Sequence, residues 1–410
     1  MPNPSISRMS FSDADTPARR RRSLAHELAS DLQAIDDSGL RRRLRRIEGP
    51  QQSVVRMDGR DIVLLCSNNY LGLAFRPEVV EAASRAARDG GAGAVSSRLV
   101  SGHMSAHARL EQHLADWKGT EAALVFSSGY QANIGIITSL VDERDVVVSD
   151  ELNHASIIDG CRLSRARVAV YRHNDVGHLR QVLAQHRDAR RALVVTESVF
   201  SMDGDLAPLA GIADATEEHG GWLMVDEAHA AGVFGPRGAG VVAELGLTDR
   251  IAVQMGTLGK ALGSFGAYAA GSRTLIDHLV NRARAFIFTT ALPPSAAAAA
   301  DAAISIVERE PDLGSGLRRR ARELGLQLRH AGLDIANVDS QILPVMIGHA
   351  RDTVAAAEAL LERGYYVAAI RPPTVPDGTS RLRLSLMATH TQEHIRGVER
   401  ALIEVLGGGA

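Results

Sequence analysis

Short apolar runs that end in polar residues recur along the chain, and this pattern is typical of buried strands in an α/β protein. Two of these runs matter most for function, Trp222–Val225 and Ile251–Val253. In open α/β sheets, ligands bind at the carboxyl ends of the strands. We therefore expect the polar residues that follow these two runs to form a ligand site.

The run Ile251–Val253 leads into a loop of small residues around Lys260. A lysine in such a loop is either solvated or buried in a pocket, where its pKa falls and its amine can attack a carbonyl to form a Schiff base. Thr257 and three nearby glycines would let backbone and hydroxyl approach a ligand. A phosphate-binding P-loop is excluded, since Gln254 stands at the first glycine position and Ala261 follows the lysine.

The run Trp222–Val225 leads into Asp226, with Ala228 and His229 close behind. A carboxylate at a strand end can pair with a protonated ring nitrogen, a small alanine can lie beneath a planar ring, and a histidine can reach a ring substituent. Lys260 follows at a distance that leaves room for one helix and one strand. An aspartate together with a Schiff-base lysine is what a pyridoxal 5'-phosphate site requires, so the sequence predicts that cofactor.

The segments Asp226–His229 and Gly256–Ala261 resemble the α-oxoamine synthases, pyridoxal phosphate enzymes of fold type I, and the similarity extends from about Leu40 to about Leu406. The resemblance implies an α/β transferase that works as a homodimer with shared active sites. It also implies a large domain on a mainly parallel seven-stranded sheet and a smaller α+β C-terminal domain. We expect an N-terminal extension and helix over residues 1–60, the large domain over 61–290 and the small domain over 291–410.

The resemblance also assigns roles to individual residues, and Lys260, His154 and Asp226 are expected to be catalytic. The motif Ser127–Asn133 follows a predicted strand and opens a helix, whose N-terminus suits a phosphate. In the family the segment Phe286–Pro294 crosses to the partner subunit, where its threonines contact phosphate. The expected cofactor contacts are Gly129, Tyr130, His154, Ser201, Asp226, His229, Thr257, Lys260, Thr289 and Thr290.

The expected substrate contacts, also by resemblance, are Arg41, Asn68, His154, Thr374 and Arg383. Arg383 alternates with Arg381 on a predicted strand, and a guanidinium suits bidentate capture of an α-carboxylate.

Two segments, Ser97–Gly102 and Ile370–Pro376, resemble the family members that join L-alanine to a pimeloyl thioester on coenzyme A or acyl-carrier protein. That reaction gives 8-amino-7-oxononanoate, carbon dioxide and free thiol in biotin biosynthesis. Ser97 leaves room for alanine where the 5-aminolevulinate synthase version usually has threonine.

Three alternatives stay open. A sister synthase that uses glycine, forming 5-aminolevulinate or 2-amino-3-ketobutyrate, is the nearest. A fold-type-I aminotransferase shares the aspartate and the lysine but consumes no thioester. A non-catalytic subunit tends to lose the lysine, whereas Lys260 is present.

Composition narrows the other possibilities. The net charge of −2, with 45% hydrophobic and 23% charged residues, gives no reason to expect nucleic acid or a membrane as partner. No apolar run reaches the roughly 18 residues of a transmembrane span. Two cysteines fit a reducing cytoplasm, and no metal site is expected.

The arginine run at 19–22 has no apolar segment behind it and is not a secretory signal, and residues 1–16 are expected to be disordered.

Overall fold

The computed structural model of the chain describes residues 23–407, and its largest sheet has seven strands. The strands in chain order are β1 Val54–Met57, β2 Arg60–Leu64, β3 Ala122–Phe126, β4 Val146–Asp150, β5 Arg167–Tyr171, β6 Ala192–Glu197, β7 Trp222–Asp226, β8 Val253–Thr257, β9 Ala267–Gly271, β10 Ile342–Gly348, β11 Tyr365–Tyr366, β12 Ala368–Ile370 and β13 Ser380–Ser385. The α-helices are α1 Leu24–Asp37, α2 Pro77–Gly90, α3 Ser105–Lys118, α4 Gly129–Leu140, α5 Ala155–Ser164, α6 Val176–Gln185, α7 Leu209–Glu218, α8 Val241–Glu244, α9 Arg273–Arg282, α10 Arg284–Ile287, α11 Pro294–Arg309, α12 Asp312–His330, α13 Ala350–Glu362 and α14 Gln392–Leu406.

The large sheet has the strand order β3-β9-β8-β7-β6-β4-β5. Only β9 runs against its neighbours, so the other six strands point the same way and the predicted mainly parallel sheet is confirmed. Its central strands are buried on both faces, as parallel strands covered by helices are. In β4, for example, Val146 and Val148 pack in one buried cluster and Val147 in the other.

Two smaller sheets complete the strand pairing in the described residues. Strands β1 and β2 form a hairpin, and its turn residues Asp58 and Gly59 have φ of 47° and 75°. Positive φ at both positions is the signature of a type I′ turn, which matches the twist of the flanking strands. Strand β11 pairs with β2 in parallel, while β10, β13 and β12 form an antiparallel sheet near the C-terminus.

One predicted strand begins two residues later and ends four residues later than expected. The strand before Lys260 is Val253–Thr257, not Ile251–Val253, because its ladder to β7 begins where Val253 pairs with Met224. Gly256 suggested a loop, yet it belongs to the strand: the ring of Tyr268 on β9 occupies the space that a side chain at this position would need. Within the segment Ser97–Gly102, the residues Arg98–Gly102 form one π-helical turn.

Residue contacts divide the chain after Leu44. In the first unit the helix expected within residues 1–60 is present as α1, and its apolar residues Leu24, Leu28, Leu32 and Ile35 are exposed. The second unit contains all three sheets. The domain limits expected at residues 60 and 290 stay predictions, and the disorder expected for residues 1–16 falls outside the described residues. Across residues 23–407 we find no helix with the length and apolarity that crossing a membrane requires.

Candidate active site

The carboxyl ends of five parallel strands bring the predicted catalytic residues to one edge of the large sheet. Gly129 follows β3, His154 follows β4, and Lys260 follows β8. Glu197 and Asp226 are the last residues of β6 and β7 and pair with each other in register. The residues that follow the Asp226 and Lys260 strands therefore lie at the same edge of the sheet, and their joint role as a ligand site stays a prediction.

Lys260 lies in a tight turn directly after β8. Thr257 stabilises the turn: its hydroxyl donates to the Gly266 carbonyl at 3.0 Å and accepts from the Gly259 N–H at 3.2 Å. The Lys260 amine is 2.8 Å from Nε2 of His229. Burial lowers the pKa of Lys260 to about 8, although the carboxylate of Asp226 acts in the opposite direction. Part of the amine is therefore uncharged near neutral pH, as a nucleophile requires.

Asp226 is buried, and both of its carboxylate oxygens accept hydrogen bonds. Oδ1 accepts from the backbone N–H of Ala228 and Oδ2 from the side-chain amide of Asn133, each at 2.9 Å. These two donors fix the plane of the carboxylate. Asn133 lies on α4, at the end of the helix-opening motif Ser127–Asn133. Its own pattern gave no sign of this contact, because the partner lies on another element.

His154 joins the same network through Ser156. The Ser156 hydroxyl accepts from Asn133 at 2.9 Å and lies 2.7 Å from Nδ1 of His154, which also accepts from the Ser156 N–H at 3.2 Å. Because Nδ1 accepts, the neutral ring carries its proton on Nε2. Loss of solvent lowers the pKa of His154, so this neutral form is favoured at neutral pH. The ring can thus donate a hydrogen bond from Nε2.

Glu197 is a buried carboxyl beside these groups. Its Oε1 accepts from the backbone N–H of His154 at 2.7 Å. Burial raises the pKa of Glu197 to about 8, and the nearby charge of Asp226 adds to this. A carboxyl with this pKa is mostly protonated at neutral pH, so it limits the negative charge that is buried next to Asp226.

Tyr70 connects His229 to the predicted carboxylate-binding residues. Its hydroxyl lies 2.6 Å from Nδ1 of His229 and donates to Oδ1 of Asn68 at 3.0 Å. Nη2 of Arg383 donates to the same hydroxyl at 3.4 Å. The structure therefore brings Asn68, His229, Arg383 and Lys260 together around a tyrosine to which the sequence pattern gave no role.

Arg383 on β13 is itself held in place. Its Nε donates to the carbonyl of Ser201 at 2.5 Å and its Nη1 to the hydroxyl of Ser385 at 2.8 Å. Ser201 is buried beside it, in the loop after β6. Arg381, two residues earlier, forms an ion pair with Asp203 in the same loop. The β13 arginines thus anchor the loop that carries Ser201.

The N-terminus of α4 is the expected phosphate site. Ser128 caps the helix by accepting from the Gln131 N–H at 3.2 Å, and Gly129 is the first helical residue. The first N–H groups of a helix have no acceptor within the helix, and the macrodipole is positive there. Tyr130 is exposed, and its hydroxyl bonds to the Asp159 carboxylate.

The segment with Thr289 and Thr290 lies next to this helix start. The Ser127 hydroxyl donates to the Thr290 carbonyl at 3.2 Å, and Ser97 pairs with Thr290 as an isolated bridge. The expected contact of these threonines with a partner subunit stays a prediction.

Two further predicted substrate residues, Arg41 and Thr374, each have a local contact in the structure. Arg41 belongs to the first unit, where it pairs with Asp36 at 3.3 Å. Thr374 is exposed in the loop between β12 and β13, where its N–H donates to the carbonyl of Arg371 at 3.1 Å. Their contacts with the acyl substrate stay predictions.

The residues present fit pyridoxal phosphate. The buried carboxylate of Asp226 suits a ring cation, the desolvated amine of Lys260 suits a carbonyl, and the start of α4 suits a phosphate. In residues 23–407 no cluster of three or more His, Cys, Asp or Glu could hold a metal ion. This fold and this set of groups define the fold-type-I pyridoxal phosphate transferases.

Comparison with known proteins agrees. The family model for aminotransferase class I and II matches residues 60–402, so the chain belongs to this family. The 8-amino-7-oxononanoate synthase of Anaeromyxobacter dehalogenans is 54% identical over 379 residues, covering 92% of this chain and 95% of that protein. The 8-amino-7-oxononanoate synthase of Geobacter sulfurreducens is 51% identical over 386 residues, covering 93% of this chain and 98% of that protein.

A solved structure supports the same fold and places the chain among the α-oxoamine synthases. A serine palmitoyltransferase variant from S. paucimobilis, with PLP and myriocin bound, superposes with a TM-score of 0.89. It is 34% identical, and the match covers 94% of this chain and 98% of that chain.

Proposed function

We propose that this protein is a pyridoxal phosphate-dependent acyltransferase that condenses L-alanine with a pimeloyl thioester. The products are 8-amino-7-oxononanoate, carbon dioxide and the free thiol of coenzyme A or acyl-carrier protein. The observation that carries the choice of substrates is the identity of 51–54%, over more than nine-tenths of the chain, to proteins named for this reaction. The buried Lys260 and Asp226 supply the matching chemistry.

The cofactor would be held by residues from several strand ends. Lys260 would bind its carbonyl carbon, Asp226 its ring nitrogen, and His229 and Ser201 the ring oxygen. Thr257, the first N–H groups of α4 at Gly129 and Tyr130, and Thr289 and Thr290 of a second subunit would hold the phosphate. When bound, pyridoxal phosphate withdraws electrons from the α-carbon of the amino acid.

The protein's own residues would then bind the substrates and move protons. Arg383 and Asn68 would orient the α-carboxylate of alanine, since Arg383 keeps N–H groups beyond the three that it uses internally. The uncharged Lys260 amine would take the proton from the α-carbon. His154, protonated on Nε2, would donate a hydrogen bond to the carboxylate before carbon dioxide leaves.

The serine palmitoyltransferase likeness favours a second candidate, the same condensation with L-serine and a long-chain thioester. We rank it lower because sequence identity to that enzyme is 34%, against 54% for the synthase from A. dehalogenans. Glycine-using synthases differ from the proposal only in the amino acid. All of these candidates release thiol, whereas an aminotransferase does not.

A thiol-release assay on the cofactor-loaded protein tests the proposal. L-alanine, glycine and L-serine are each combined with pimeloyl-CoA, pimeloyl-acyl-carrier protein and palmitoyl-CoA, and products are identified by mass spectrometry. We expect alanine with a pimeloyl thioester to be at least ten times faster than any other pair, and Lys260→Ala to give only background. Preference for glycine or serine, or a keto acid without thiol, would replace the proposal with the corresponding alternative.

The shared active site of the proposed homodimer has its own test. A Lys260→Ala protomer lacks the amine, and a Thr289→Val/Thr290→Val protomer lacks the hydroxyls. If the threonines act across the interface, mixed dimers contain one intact site, so mixing the two variants should restore part of the activity. If they act within their own subunit, mixing should restore none.

A further inference from the structure

Tyr70 is fully buried and its hydroxyl is surrounded by four polar groups. These are Nδ1 of His229 at 2.6 Å, Oδ1 of Asn68 at 3.0 Å, Nη2 of Arg383 at 3.4 Å and the nearby side chain of Gln341. Gln341 also donates to the His229 carbonyl at 2.8 Å, which holds the histidine backbone. The tyrosine lies 159 positions before His229 in the sequence, so only the folded chain creates this contact.

The hydrogen-bond roles around this hydroxyl are decided by counting donors and acceptors. A phenolic hydroxyl has one proton to give, and the Asn68 oxygen accepts it. The other polar neighbours must then donate to the phenolic oxygen. Arg383 does so, and the short contact to His229 requires a proton on Nδ1. In a neutral imidazole Nε2 is then bare, and burial lowers the pKa of His229 well below its ordinary value.

The bare Nε2 faces the Lys260 amine at 2.8 Å. In this tautomer Nε2 of His229 accepts a hydrogen bond from an N–H of the Lys260 amine, and the lone pair of the amine nitrogen stays free. In the other tautomer Nε2–H would donate into the lone pair and block the nucleophile. The choice of tautomer at His229 therefore decides whether Lys260 can attack a carbonyl.

We propose that Tyr70 is a positioning residue for Lys260: with Asn68 it fixes the His229 tautomer that holds the lysine amine and leaves its lone pair free. The proposal rests on the proposed cofactor chemistry of Lys260. It extends that chemistry to a residue that does not contact the lysine and acts on it through His229. Since Arg383 and Asn68 bond to the same hydroxyl, it also links the expected carboxylate site to the lysine.

The test is Tyr70→Phe in the full-length, cofactor-free protein, with two readouts that do not depend on turnover. Nitrogen NMR of labelled histidine, with His229 assigned from His229→Gln, reports the tautomer: Nδ1–H is expected in the parent and Nε2–H in the variant. The rate of pyridoxal phosphate capture, measured by stopped flow as a function of pH, reports the protonation and reactivity of the Lys260 amine. In the variant the midpoint of this pH profile should fall by about one pH unit, because the protonated amine loses one hydrogen-bond acceptor. The plateau rate at high pH should fall about tenfold, because Nε2–H then donates to the lone pair of the uncharged amine.

The charged and titratable groups that act on Lys260 are Asp226, Glu197, Arg383, His154 and His229, and the variant replaces none of them. Asn68→Ala should shift the His229 tautomer in the same direction, because Tyr70 then has only His229 to donate to. Tyr268→Phe is the matched control: Tyr268 is equally buried, and its hydroxyl has no hydrogen-bond partner among the described residues. We expect the control to leave the tautomer and the pH profile unchanged.

An unchanged tautomer and pH profile in Tyr70→Phe would overturn the proposal, provided that the variant unfolds at a denaturant concentration close to that of Tyr268→Phe. Equal changes in Tyr70→Phe and Tyr268→Phe would overturn it too, since they would indicate a general packing effect. Failure of the proposed function looks different. The parent protein would then release no thiol from any thioester, while the tautomer of His229 would still depend on Tyr70.

Discussion

The side-chain amide of Asn133, on the first turns of α4, donates to Oδ2 of Asp226 at the end of β7 at 2.9 Å. The same nitrogen donates to Ser156, which contacts His154. One amide therefore orients the carboxylate expected beneath the cofactor ring and, through a hydroxyl, the histidine expected at the substrate. Three of the groups at the site depend on this residue for their geometry.

Replacing Asn133 with alanine should therefore weaken cofactor binding. The carboxylate of Asp226 loses one of its two donors, and a hydrogen bond to a charged group contributes about 1.5–3 kcal/mol, so the dissociation constant should rise at least about tenfold. Fluorescence titration of the cofactor-free protein measures this. Asn281→Ala on the surface of α9 is the control, because that amide donates only to the exposed carbonyl of Asp277. Equal affinity in the two variants would contradict the assignment.

The chain contains only two lysines, Lys118 and Lys260, which makes the covalent link easy to locate. After reduction of the cofactor-loaded protein with borohydride, we expect the added mass on the peptide that contains Lys260. Lys118 should stay unmodified because it is buried in an ion pair with Glu227. Peptide mass spectrometry measures this, with Lys260→Ala as the control. Stoichiometric labelling of Lys118 would argue against Lys260 as the cofactor lysine.

The Lys118–Glu227 ion pair should matter for stability. Both side chains are fully buried, Lys118 also donates to the Ala239 carbonyl, and Glu227 accepts from the Val242 N–H at 2.9 Å. Lys118→Met leaves a buried charge without its partner and should lower the free energy of unfolding by about 3–5 kcal/mol. Urea denaturation measures this loss.

An exposed ion pair provides the contrast for Lys118→Met. Arg167 pairs with Asp188 on the surface, and Arg167→Met should change stability by less than about 1 kcal/mol. The double variant Lys118→Met/Glu227→Gln should be more stable than Lys118→Met alone, since it no longer buries an unpaired charge. If Lys118→Met and Arg167→Met lower the free energy of unfolding by the same amount, the buried pair has no special role.

His173 should make stability depend on pH on the alkaline side. Burial alone would lower its pKa, but hydrogen bonds to Asp150 at 2.9 Å and Asp205 at 2.7 Å outweigh burial and raise the pKa to about 10. The folded-state pKa of His173 lies above its ordinary value of 6.5. The stability linked to its proton is therefore complete below pH 6.5 and is lost as the pH rises through about 10.

The measurement for His173 is the difference in unfolding free energy between the parent and His173→Gln from pH 6 to pH 10.5. We expect a difference of about 2–4 kcal/mol at pH 7 that shrinks steadily above it. A difference that stays constant over this range would show that the imidazolium charge does not contribute.

Much of the fold could be predicted from short segments. The apolar run Trp222–Val225 predicted strand β7, and the motif Ser127–Asn133 predicted the start of helix α4. The error at Ile251–Val253 has a tertiary cause, since Gly256 looks like a loop residue until the Tyr268 ring beside it is known. Local pattern cannot report what fills the space next to a glycine.

The sequence by itself determined the chemical groups of the site, Lys260 and Asp226 above all, because each follows an apolar run and strand ends carry ligands. The tertiary structure alone decided how those groups are held. Asn133 reaches Asp226 and Tyr70 reaches His229 across 93 and 159 positions, through the order of strands in the sheet. Hydrogen bonds between distant segments depend on that order, and no periodicity along the chain encodes it.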